Sequence, residues 1–114
     1  MKYSPEILDL FYSVSHVRQA DGDYTLQSSF VVQDIQLVFY VSIVDKIIQT
    51  MHFKTTGNTI VIVVSEYVCR YLENKAVSAV SELLVDSIIM KLKINKLYQH
   101  NVLLVIEALK SLKE

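Results

Sequence analysis

Two periods divide this chain. Near the N-terminus Ile7, Leu8, Phe11 and Tyr12 recur at helical spacing behind Ser4 and Pro5, a cap residue and a first-turn proline. That pattern predicts a short amphipathic helix, and Asp21-Gly22-Asp23 then reads as a turn. Beyond the turn the period becomes two. Ile35, Leu37, Phe39, Val41 and Ile43 share one face of a strand, and Gln36, Val38, Tyr40 and Ser42 share the other. After a tight break at Val44-Asp45-Lys46, Ile47, Gln49, Met51 and Phe53 alternate with Ile48, Thr50, His52 and Lys54. With Tyr24–Val32 as a preceding strand, these segments predict a three-stranded antiparallel meander.

The segment after Gly57 carries a conflict. Ile60-Val61-Ile62-Val63-Val64 is β-branched throughout and suits a strand by composition. Glu66, Arg70 and Glu73 nevertheless fall on one helical face, with Val61, Val64, Val68, Tyr71 and Leu72 opposite. The spacing predicts a helix entered through Gly57 and Asn58, its first turn buried on all sides. Asn74-Lys75 breaks it. Short helices over Ala76–Ser81 and Glu82–Leu92 and a closing helix from Asn101 to Ser111 follow, the last with Val102, Val105, Ile106, Leu109 and Leu112 inward. The fold class expected is α+β: a three-stranded antiparallel sheet with an N-terminal helix and about four C-terminal helices packed on one face.

Composition adds limits. The 114 residues suit a single domain spanning 1–114, and 52% apolar content supports a packed core. A net charge of −1 gives no reason to expect a nucleic acid or an anionic membrane as partner, and Lys91, Lys93 and Lys96 read as a solvated helix end. Apolar runs such as Leu37–Val41 fall far short of the roughly 20 residues of a membrane span. The lone cysteine, Cys69, has no internal disulfide partner and reads as a small core residue. With no signal-like layout at the start, a cytoplasmic protein is expected. Two glycines, Gly22 and Gly57, cannot build a phosphate-cradling loop, and no serine or cysteine sits in a nucleophile context, so no enzymatic activity is expected.

The stretch Phe53-Lys54-Thr55-Thr56-Gly57-Asn58 then sharpens the picture. It resembles the Phe-Lys-Thr-x-Gly-Cys of the NifU-like (IscU-type) iron–sulfur cluster assembly scaffolds, whose fold is shared by the SufE-like proteins. Val31-Val32-Gln33-Asp34 stands where that family has Ala-Cys-Gly-Asp. His100-Asn101 stands where it has His-Cys, and Asn101 to Lys110 resembles its closing helix. The resemblance implies ligand positions at Val32, Asp34, Asn58, His100 and Asn101. The family would bind a 2Fe-2S cluster or zinc there; this chain has lost all three thiols. Clusters are held by thiolates, so no cofactor is expected. Asp34 and His100 leave a two-ligand metal site that water or another subunit would have to complete.

The resemblance also implies partners: a cysteine desulfurase, or a cysteine-bearing scaffold paralogue. The family's Leu-Pro-Pro-Val-Lys, which serves a dedicated chaperone, is replaced by Ile94-Asn95-Lys96-Leu97-Tyr98. A different reading is a homo-oligomer module outside the pathway, associating through Val38 and Tyr40 if that sheet face is open. Among the remaining residues, Asn58 and Asn101 are good helix caps, and Asp34 suits a turn. His52 is expected on the solvated strand face, and His16 falls in a loop with no pattern around it.

Overall fold

The backbone answers the conflict in the second half first: residues 59 to 72 are helical. The structure, a computed structural model, describes residues 3–17, 26–27, 30–32 and 34–112. It consists of α1 (Pro5–Tyr12), β1 (Leu26–Gln27), β2 (Phe30–Val32), β3 (Ile35–Val44), β4 (Ile47–Thr55), α2 (Thr59–Leu72), α3 (Val85–Leu92) and α4 (Gln99–Lys110). Short 3₁₀ turns cover Val77–Glu82 and Lys96–Tyr98. The turn expected at Asp21-Gly22-Asp23 lies outside the described residues, as do Tyr24 and Thr25 of the expected first strand.

β3 is the central strand. β4 pairs antiparallel along one side, and β1 and β2 pair antiparallel along the other. Leu26 opposes Val41 and Phe30 opposes Leu37, so β1 and β2 share one register on β3. Among the described residues the sheet has four strand segments where the pattern predicts three strands, β1 and β2 both falling within the expected Tyr24–Val32 strand. Both hairpins are tight: Asp34 (φ 69°) precedes β3, and Asp45 (φ 52°) and Lys46 (φ 64°) join β3 to β4. Two successive positive φ values at the second hairpin are those of a type I′ turn, whose twist matches the flanking strands.

Along β3 the inward positions of the alternation, Leu37, Phe39 and Val41, are buried. Along β4 the alternation breaks. Ser42 opposes Thr50 but Ile43 opposes Ile48, leaving Gln49 as the extra residue of a β-bulge. The bulge turns Ile48 to the core side with Met51 and Phe53, and leaves Ile47 half-buried and Gln49 exposed. Phe39 and Phe53 face each other across the two strands at the centre of that layer. The opposite face is not an open patch either: Val38 is buried and Tyr40 half-buried.

α2 wins over its strand-like composition because it has something to pack on all around it. It contacts β4, α1 and α4. Nine of its residues are buried, from Ile60 to Leu72. Burial of that kind outweighs the few tenths of a kcal/mol per residue that β-branching costs a helix. α1 begins where expected, with Ser4 Oγ accepting the Ile7 N–H at 3.1 Å and donating to the Leu92 carbonyl at 2.6 Å. α4 begins at Gln99, earlier than the asparagine expected to cap it.

Gly57 joins β4 to α2 at a close approach. A Cβ there would lie 2.7 Å from Val61 Cβ and 2.8 Å from its Cγ1. Gly57→Ala is therefore expected to lower stability by about 1–3 kcal/mol in urea unfolding. Combined with Val61→Ala, the penalty should fall short of the sum of the two single changes. An unchanged unfolding midpoint for Gly57→Ala would contradict the close approach.

Candidate functional site

The positions carried over from the resemblance fall on the β2–β3 hairpin (Val32, Asp34), at the start of α2 (Asn58) and in the first turn of α4 (His100, Asn101). Val32 opposes Ile35, and Asp34, which precedes β3, takes the left-handed backbone of a turn. Its side chain is exposed. The end of β4 is stitched to the same place. The Thr56 N–H donates to the Gln36 carbonyl (3.0 Å), and Thr56 Oγ1 accepts the Gln36 N–H (3.0 Å) and donates to the Asp34 carbonyl (3.4 Å). Thr55 Oγ1 donates to the Gln36 carbonyl at 2.7 Å and accepts the Gly57 N–H at 3.0 Å. The Lys-Thr-Thr-Gly run thus fixes where α2 starts relative to the Asp34 hairpin.

Asn58 is the N-cap of α2. Its backbone is extended, and its side-chain oxygen accepts the Val61 N–H at 3.1 Å. The cap expected at Asn101 is not made. Asn101 lies inside the first turn of α4 and is 3% exposed, while Tyr98 occupies the cap position without a side-chain bond. The asparagine that does cap in this region is Asn95, which accepts the Leu97 N–H at 3.0 Å. His100 is exposed on that same first turn, and α4 packs on α2 and β2. Among the described residues no three His, Cys, Asp or Glu side chains converge on a point that could hold a metal. The donor set does not fit a cluster. Asn58 offers a neutral amide already engaged in capping, and Asn101 offers a buried amide.

A second constellation lies on α2 itself, and the sequence gives little warning of it. Glu66 is fully buried. Its Oε1 accepts the backbone N–H groups of Ser15 (3.0 Å) and His16 (2.9 Å), and its Oε2 meets His16 Nδ1 (2.6 Å) and Arg70 Nε (2.7 Å). His16 Nε2 lies 2.8 Å from Glu73 Oε1, and Glu73 Oε2 accepts the Met51 N–H at 2.9 Å. Arg70 also donates to the Ser13 carbonyl at 2.6 Å. Glu66, Arg70 and Glu73 are the helical face visible in the sequence. Residues 13–17 cover that face, and His16 is its hub. The partner is 50 residues from Glu66 in sequence, beyond any periodic signal.

The electrostatics follow from these contacts. Burial alone would raise the Glu66 carboxyl, but Arg70, the two backbone amides and His16 outweigh it and hold it below the ordinary range. Burial alone would lower His16, and the Glu73 and Glu66 carboxylates outweigh that, so its ring titrates above the ordinary histidine range. Burial, then the same two carboxylates, push the Cys69 thiol well up, which makes it an inert core residue. His52 is half-buried beside His16, ring centroids 6.2 Å apart, rather than on an open strand face.

No family model matches the chain, and no curated protein matches it. Solved structures do. The N-terminal domain of a nitrogen-fixing NifU-like protein from Brucella abortus superposes with a TM-score of 0.68 at 12% identity, covering 92% of this chain and 87% of that one. A candidate iron–sulfur cluster assembly scaffold protein for the SUF system from Fervidobacterium islandicum AW-1 superposes with a TM-score of 0.71, also at 12% identity, covering 95% and 93%. The α+β fold implied by the sequence resemblance, that of the NifU-like scaffold domains, is the fold of this chain. No described helix is long and apolar enough to cross a membrane.

If Asn58 serves as a cap, the side chains that cap well should replace it. Asn58→Asp and Asn58→Ser are expected to hold stability within a few tenths of a kcal/mol, and Asn58→Ala to lose about 1 kcal/mol in denaturant unfolding. Equal stability of all three variants would remove the capping role.

Proposed function

We propose that this chain is a NifU/IscU-like protein associated with iron–sulfur cluster assembly that acts through protein interaction and does not hold a cluster itself. The observation that carries this reading is Asn58. At a position where the resemblance places a ligand thiolate, its side chain is an N-cap bonded to Val61, inside a scaffold fold that is otherwise kept. Asp34 and His100 supply two donors where a tetrahedral site takes four. Transfer of sulfur as a persulfide needs a nucleophilic thiol, and the one cysteine is buried with its thiolate disfavoured. The role is therefore non-enzymatic: occupying or tuning a cysteine desulfurase, or pairing with a cysteine-bearing scaffold paralogue, in the cytoplasm.

The alternative of self-association through Val38 and Tyr40 loses its surface, since Val38 is buried. Two measurements test the proposal. Titration calorimetry against the cysteine desulfurase and the scaffold paralogue of the same organism should show binding, and no association with either at about tens of micromolar would sink the interaction reading. Anaerobically purified protein should be free of stoichiometric iron, zinc and acid-labile sulfide. Metal near one equivalent, lost in Asp34→Ala or His100→Ala, would overturn the claim that the site is empty of metal chemistry. The variant combining Val32→Cys, Asn58→Cys and Asn101→Cys should acquire a cluster absorbance on reconstitution.

A further inference from the structure

The His16 cluster takes no part in that proposal, and its geometry fixes a proton count. Both ring nitrogens face carboxylate oxygens, Nδ1 at 2.6 Å from Glu66 and Nε2 at 2.8 Å from Glu73. A carboxylate can only accept, so both nitrogens must donate, and only the imidazolium has two N–H groups. A neutral ring would leave one nitrogen lone pair against a carboxylate. The charge count agrees. His16 and Arg70 balance Glu66 and Glu73, and loss of the proton leaves one uncompensated negative charge where Glu66 is fully buried.

What the ring holds is the edge of the sheet. The His16 carbonyl accepts the Phe53 N–H at 2.8 Å, and Val17 pairs parallel with Phe53. Glu73, the carboxylate gripping Nε2, takes the Met51 N–H with its other oxygen. The far end of β4 is closed independently, by the Ile48 N–H on the Lys75 carbonyl (2.8 Å) and the Asn74 N–H on the Ile48 carbonyl (2.7 Å). An edge strand with free N–H and C=O groups is a template for pairing with another strand. Here the segment that covers the Met51–Phe53 part is held by its Ser15 and His16 amides on Glu66, by the Ser13 carbonyl on Arg70, and by the His16 ring, the one tie whose own residue titrates near neutral pH.

We infer that His16 is a proton-operated latch: as the imidazolium it clamps residues 13–17 across α2 and the edge of β4, and on deprotonation it releases that segment and opens the edge at Phe53. The groups facing the ring are Glu66 and Arg70 from α2, Glu73 at the C-cap of α2, His52 from β4, and Ser15 Oγ, 3.1 Å from Nδ1, on its own segment. Because the folded-state ring titrates higher than in an open chain, the clamp is complete below the unfolded histidine range near 6.5 and is lost as pH rises through the folded value. Each unit by which the fold raises that value is about a tenfold change in the clamped-to-open ratio.

The test reads the ring and the edge separately on the unmodified protein. Imidazole nitrogen shifts, with His52→Gln and His100→Gln to assign the other two rings, should show His16 doubly protonated at about pH 6.5 and titrating above it. Hydrogen exchange of the Phe53 amide, corrected for the intrinsic pH dependence, should lose about tenfold or more of its protection across that titration. The Val41 amide in central β3 should keep its protection. In His16→Gln the Phe53 amide should exchange fast at every pH. Three results overturn the latch: a His16 ring neutral at about pH 6.5, Phe53 protection unchanged as His16 deprotonates, or loss of Val41 protection in step with Phe53. The last would show global unfolding instead of a local release. Should His16→Gln fail to fold, the wild-type titration and exchange data decide the matter.

Discussion

A carboxylate with no exposed surface sits near the middle of the most enclosed helix, and its solvation has to be rebuilt from protein groups. Glu66 obtains it from two backbone N–H groups, an imidazole and a guanidinium. An isolated charge in that place would cost several kcal/mol, so the donors are a condition of the fold rather than an ornament on it. All four belong to or are aimed by residues 13–17: the Ser15 and His16 amides and the His16 ring bond Glu66 directly, and the Ser13 carbonyl fixes Arg70. α1 leads directly into that segment, and β4 finds an edge partner in it. One buried charge thus ties the N-terminal helix, the central helix and the last strand together.

The ligand end obeys a different logic. In the scaffold family a thiolate at the start of a helix gains from the dipole and the free N–H groups there. Asn58 satisfies one of the free N–H groups at the start of α2, that of Val61, and brings no charge, and a cap of this kind is worth about 1 kcal/mol to a helix. The core does not depend on the site. Phe39, Phe53, Val61, Leu72 and Val105 are packed against one another, and neither Asp34 nor His100 is among the core residues. The fold and the chemistry of its ligand end are therefore separate questions, and function has to be argued from the site.

Most of this architecture is legible along the chain because it rests on local rules. Ser4 with Pro5 starts α1, the alternation from Ile35 marks β3, and the spacing of Glu66, Arg70 and Glu73 outweighs five β-branched residues in a row at the start of α2. Where reading the sequence fails, a non-local or single-residue event intervenes. The bulge at Gln49 moves Ile48 to the core, and periodicity has no term for one extra residue. Asn101 looks like a cap but is taken into α4, since the helix gains a turn by starting at Gln99 and tertiary packing covers the amide. Val38 sits at a position that alternation assigns to the outer face, yet it is buried. His16 has no pattern at all. Its role comes from three groups on a helix far along the chain, and only the unexplained buried face of that helix hints that something must cover it.

One cluster shifts two of its groups in opposite directions, Glu66 down through Arg70, the two amides and His16, and His16 up through Glu73 and Glu66, which gives the N-terminal segment two limits. Glu66 is held ionised by its donors, so its contribution is present above the unfolded carboxylate range and lost as pH falls through its lowered value. His16 is held protonated by its acceptors, so its contribution is present below the unfolded histidine range and lost as pH rises through its raised value. The two limits differ in consequence. Protonating Glu66 removes a charge from the interior and leaves an acid that still accepts the Ser15 and His16 amides. Deprotonating His16 leaves an interior carboxylate without one of its two cations. Acid therefore loosens the clamp gradually, whereas alkali puts an unbalanced charge beneath it, and the release that matters for the β4 edge is the alkaline one.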